Sequence, residues 1–201
     1  GFEIEVWAND NARPKPLVVL VFRGTDFTSI SDWLSNLRWL LPFLQPFSVD
    51  QYDYTTELVP KLVAAINNHQ DYAGSVEIMA TGHSLGGGLA QQAGYVSTDI
   101  KKVYVFAPSP VTGFFSVEPE KRQKNKKGMN IYRIFEHGEV LAYLRWFMKG
   151  LLPIAKKDPK IVEARYNLFT GEDPVGQHNM KNFACKLKTI ADDASRQITG
   201  G

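Results

Sequence analysis

The chain has 201 residues, 44% hydrophobic and 22% charged, an ordinary globular composition that excludes a disordered, collagen-like or disulfide-built protein. Lys and Arg number 23 against 21 Asp and Glu, a formal charge of +2, so no overall field makes nucleic acid a default partner. Cys185 is the single cysteine, which excludes an intrachain disulfide, a cysteine-rich zinc site and a CxxC redox pair, and nothing in the sequence requires a cofactor or metal.

In chain order, the run at 2–7 reads as a half-buried strand, and 17–22, Leu-Val-Val-Leu-Val-Phe, as a strand buried on both faces. A helix is expected over 31–41 with Ser31 or Asp32 as its N-cap. The apolar stretch 39–47 overlaps its end, and Pro42 and Pro46 bar that stretch from regular helix or central strand. Helices are then expected over 55–68, 85–96, 139–149 and 180–196, with strands at 76–80, 103–106 and 131–135. A second apolar segment, 141–154, contains only Arg145 and Lys149 as charged residues. Strands alternating with helices predict an α/β fold with a mostly parallel sheet flanked by helices, in one domain over 1–201. No apolar run approaches the roughly 20 residues that a bilayer requires, so the chain reads as soluble. Its start lacks the basic and apolar regions of a signal peptide, and opening on a strand suits a domain excised from something longer. Secretion or delivery to membranes is compatible with this reading, which fixes no location.

The segment that carries chemistry runs from Val76 to Ala90: an apolar strand, then Gly82-His83-Ser84-Leu85-Gly86, then a helix rich in small residues. Strand, G-x-S-x-G and helix together are the context of a nucleophile elbow. Ser84 would occupy a strained turn in which side chains two residues either way meet neighbouring backbone, a steric reason for Gly82 and Gly86. Gly87 and Gly88 would let the helix approach the sheet closely. The first amides of the helix, Leu85 N–H among them, would face a developing oxyanion. A phosphate-binding turn would need G-K-[ST] or G-x-G-x-x-G, and neither is present.

A serine hydroxyl is a weak nucleophile without a base held by a third group. Of the four histidines, His69 reads as a solvated residue after a helix, His83 as a packed or hydrogen-bonded core residue, and His137 as part of the loop that should hold the acid. The chain order serine, acid, histidine selects His178 as base. For the acid, Glu136 and Glu139 follow the strand at 131–135; Glu139 is preferred because the intervening turn gives it room to reach His178, and Asp173 is the chief rival. Thr25, in the loop after 17–22, is the expected second oxyanion donor. Arg23 and Asp26 are expected to hold that turn as an ion pair.

Three motifs in order then resemble the class 3 lipases of the α/β-hydrolase superfamily: Val19-Leu20-Val21-Phe22-Arg23-Gly24-Thr25 with Asp32-Trp33-Leu34-Ser35-Asn36-Leu37, then Thr81 to Ala90, then Val105-Phe106-Ala107-Pro108. The resemblance spans about 17–178. It implies an α/β-hydrolase fold and ester hydrolysis of acylglycerols or phospholipids, with Ser84 as nucleophile, His178 as base and Thr25 at the oxyanion hole. The family's acid is usually Asp after an Arg-containing strand; here Tyr132-Arg133-Ile134-Phe135 matches the strand, and Glu139 stands at the acid position. A lid shortly after the oxyanion strand is also implied, which places Trp33, Leu37, Leu40 and Phe43 against an acyl chain. The expected activity is that of a serine-dependent lipase or phospholipase working through an acyl-enzyme at a lipid interface. Alternatives are a soluble short-chain esterase and a catalytically silent scaffold that binds lipid or protein. The expected partner is a lipid surface, and a protein inhibitor or immunity-type partner is left open. The basic insertion 114–129 reads either as a solvated loop or as a contact for anionic head groups.

Overall fold

The computed structural model describes residues 2–24, 49–72, 75–139, 141, 157–169 and 176–199. The expected helix over 31–41, the apolar stretch 39–47 and nearly all of 141–154 lie outside them, as do Thr25, Asp26, Trp33, Leu37, Leu40, Phe43 and Asp173.

Six strands form one sheet in sequence order: β1 (Ile4–Asn9), β2 (Leu17–Phe22), β3 (Glu77–His83), β4 (Ile100–Phe106), β5 (Asn130–Glu136) and β6 (Lys160–Tyr166). β1 and β2 are antiparallel, and every later pair is parallel. The expected mostly parallel α/β architecture is therefore the observed one. The half-buried expectation holds only for the start of β1: Phe2 and Ile4 pack against the core, whereas Val6 is 47% and Trp7 63% exposed toward the far end of this end strand. β6 is an addition to the five expected strands.

Among the described residues the helices are α1 (Val49–Asn67), α2 (Leu85–Val96), a short α3 (Pro119–Asn125) and α4 (Met180–Thr199). α1 starts six positions before the expected 55 and contains Pro60, whose missing N–H should weaken a helix interior. Packing compensates: Tyr52, Thr55, Val59, Val63 and Ile66 recur at helical spacing and are all buried. α1 packs on α2, and α2 packs on β2, β3 and β4. Leu20, Ala80, Leu89, Ile100, Val103, Val105 and Ile131 form the centre of the resulting core. Because β2 to β6 are parallel, the segments that leave their carboxyl ends gather at one edge of the sheet, where ligand sites in such folds lie. Among the described residues, no helix is long and apolar enough to cross a membrane.

Candidate active site

β3 delivers Ser84 to that edge. The serine has φ 55° and ψ −123°, outside the comfortable regions for a side chain with a Cβ, a strain on the order of 1–3 kcal/mol. The surroundings fix it from both sides. Its N–H donates to Phe106 O at 3.1 Å, and its carbonyl accepts from Ser109 N at 2.8 Å and Gly87 N at 3.0 Å. A Cβ on Gly82 would run into the Gly86 carbonyl, and one on Gly86 into the Phe22 carbonyl. Both glycines thus have the steric role read from the motif. Gly87 serves the expected approach to the sheet, since a Cβ there would lie 3.2 Å from the β3 carbonyl of Gly82 as well as 2.9 Å from Pro108 Cβ. Gly88 admits other neighbours: a Cβ there would lie 2.4 Å from Val111 O and 2.5 Å from Tyr52 Oη of α1. The Ser84 hydroxyl does not cap α2, whose first amide is Leu85 N–H.

The residues after β5 and before α4 meet in a buried hydrogen bond. His178 Nδ1 lies 2.7 Å from Glu139 Oε2, with both side chains fully enclosed. A carboxylate only accepts, so Nδ1 carries the proton of this bond. Glu139 Oε2 also accepts from Leu141 N at 2.8 Å. Glu136 points its Oε1 to Leu168 N at 2.6 Å and Phe169 N at 3.0 Å, and so ties down the strand exit of β6.

The serine and histidine segments touch through His83. Its Nε2 lies 2.9 Å from the His178 carbonyl, and the two rings stand 4.6 Å apart. The hydrogen-bonded role expected for His83 is thus seen, with the His178 carbonyl as its partner. The β2 exit is adjacent as well: a Cβ on Gly24 would lie 3.6 Å from Ser84 Cβ. Arg23 bonds Glu3 at 2.6 Å. His69 is exposed.

The insertion 114–129 is more ordered than a solvated loop. Its turn (Phe114–Ser116) sets Phe114 edge-on to Tyr95 at 5.0 Å, Arg122 lies 4.4 Å over the Phe114 ring, and Asn125 Nδ2 donates to Tyr95 O at 2.9 Å. These contacts sit at the far end of α2 from Ser84, about 18 Å away along a 12-residue helix. The basic residues are therefore not brought to the serine.

Sequence reasoning missed three supports of the site. Tyr52 Oη donates to Val111 O at 2.7 Å and also bonds Ser109, which braces the segment that holds Ser84. Arg133 Nε donates to Gln91 Oε1 at 3.0 Å, and Gln91 Nε2 donates to Gly87 O at 3.0 Å, so β5 is tied to the start of α2. The third is the Glu136 tie. The only sequence signal for any of them is a polar residue at a helix or strand position that should be buried. Among the described residues, no cluster of three or more His, Cys, Asp and Glu side chains could hold a metal.

A family model described as a Tle-like phospholipase domain matches residues 1–145. Among solved structures, an esterase of Pyrobaculum calidifontis in a monoclinic form is similar at 14% identity, with a TM-score of 0.41, over 82% of this chain and 75% of that one. No curated protein matches the chain.

Proposed function

The chain belongs to the Tle-like phospholipase domain family, and from that premise we propose that it hydrolyses carboxylic esters of phospholipids through an acyl-enzyme on Ser84. The observation that carries the reading is the enclosed Glu139–His178 pair, 2.7 Å apart, lying against the neighbour of a serine held at positive φ. His178 Nε2 accepts the hydroxyl proton as Ser84 Oγ attacks the ester carbonyl. Glu139 keeps the imidazole in the required tautomer and stabilises the imidazolium. The carbonyl oxygen becomes an oxyanion opposite Leu85 N–H and Thr25, each donor worth about 3 kcal/mol in the transition state. Collapse breaks the ester C–O bond, and the leaving lysophospholipid alkoxide takes the proton back from His178. Water then adds by the same route in reverse and releases the fatty acid.

Thr25 is assigned from the motif, with Gly24 beside Ser84 as its support. Trp33, Leu37, Leu40 and Phe43 are assigned to the acyl chain from the sequence pattern, and the chain is taken as one catalytic domain acting at a lipid surface. The test pairs covalent labelling with turnover. A fluorophosphonate should label the wild type and leave Ser84→Ala unlabelled, and phosphatidylcholine or phosphatidylglycerol vesicles should release fatty acid only with the wild type. Equal labelling of both proteins, or fatty-acid release by Ser84→Ala, would remove Ser84 from the reaction.

A further inference from the structure

His83 occupies the variable position directly before the nucleophile, and the reaction above assigns it no proton. The structure nevertheless gives it two contacts to one residue. Its Nε2 faces the His178 backbone carbonyl at 2.9 Å, and its ring lies 4.6 Å from the His178 ring. A carbonyl only accepts, so His83 must present Nε2–H. We propose that His83 is a positioning residue that fixes the distance and orientation of His178 relative to Ser84. The inference rests on the reading of Ser84 and His178 as nucleophile and base.

The physical need follows from where the two residues sit. Ser84 is tied to β4, to the segment that follows it and to α2 by backbone bonds to Phe106, Ser109 and Gly87. His178 closes a 3-10 turn (Gly176–His178), and segments of this kind are less rigid than the strands they approach. Glu139 holds one end of the imidazole through Nδ1 and fixes its tautomer. The His83 bond catches the backbone of the same residue, and the ring contact limits rotation between the two. Base and nucleophile are then referenced to a single dipeptide, His83-Ser84. A misplacement of 1 Å in such a pair costs on the order of 100-fold in rate.

Two substitutions separate the contacts. The glutamine amide nitrogen reaches about as far from Cβ as histidine Nε2 does, so His83→Gln keeps the donor and loses the aromatic face. His83→Phe keeps a ring and loses the donor. The expected result is that His83→Phe lowers kcat about 10- to 100-fold on phosphatidylcholine vesicles with KM changed less than about twofold, whereas His83→Gln recovers most of kcat. In proton NMR, the low-field Nδ1–H resonance of the His178–Glu139 bond should persist in the wild type and His83→Gln and broaden or vanish in His83→Phe. Two results would overturn the proposal: His83→Phe retaining both kcat and the sharp resonance, or His83→Gln losing as much as His83→Phe. A wild type that takes no fluorophosphonate would instead defeat the serine mechanism, and the resonance would still report whether His83 orders His178.

Discussion

Glu136 and Glu139 are both enclosed and sit three positions apart, yet they answer different needs. Glu136 accepts two backbone amides, from Leu168 and Phe169, while Glu139 takes the imidazole N–H of His178. Their substitutions should therefore fail differently. Glu139→Gln should fold with a melting temperature near that of the wild type and lose about 1,000-fold or more in kcat, because an amide no longer favours the required tautomer or the imidazolium. Glu136→Gln should lose about 1–3 kcal/mol of stability, read as a lower denaturant midpoint, with the smaller effect on turnover. The reverse pattern would exchange the two roles. At this scale the sequence was informative about Ser84, because a strained turn needs glycines at fixed offsets and those are visible as letters. It narrowed the histidine to one by chain order. It preferred Glu139 for the acid but kept Asp173 as a rival, because that choice depends on which carboxylate a segment about 40 residues downstream comes to meet.

At the level of elements, legibility followed burial. β2 and α2 were readable because both are enclosed and so written in apolar and small residues. β6 reads Lys-Ile-Val-Glu-Ala-Arg-Tyr, an end strand whose exposed and paired positions carry charge, and its pattern does not separate it from a loop. The start of α1 was missed for a related reason: Gln51 and Asp53 look like loop residues, and only Tyr52, buried against the 107–111 segment, shows that the first turn is packed. α4 illustrates the opposite case. Its sequence has a clear helical period, but Phe183 is 2% exposed while Ile190, two turns on, is 43% exposed. Phe183→Ala should then cost about 3–5 kcal/mol in chemical denaturation and Ile190→Ala well under 1 kcal/mol. Comparable losses from both would mean that the whole apolar stripe is packed.

For the whole molecule, the buried phenols set a limit on stability at high pH. Burial pushes Tyr95 up to about 12, partly opposed by Arg133, and burial raises Tyr52 further. Both folded values exceed the ordinary value near 10. The unfolded chain thus releases these protons first. Their contribution to stability is complete below about pH 10 and falls as the pH climbs toward the folded values, by about 1.4 kcal/mol per pH unit for each tyrosine. Urea midpoints measured from about pH 9 to 11 should decline for the wild type and decline less steeply for Tyr52→Phe. Parallel slopes would show that Tyr52 ionises within the folded protein.

The sequence alone determined the α/β class and the strained strand-to-helix turn at Ser84, and its motif order pointed to the lipase and phospholipase type that the family match supports. These are legible because each depends on local periodicity or on steric demands within a few residues. The tertiary structure decided which glutamate meets His178, that His83 meets the His178 carbonyl and Tyr52 the Val111 carbonyl, and that the basic insertion packs at the other end of α2. Those facts depend on segments far apart in the chain arriving at one edge of a parallel sheet, and no local pattern encodes where a distant segment will land.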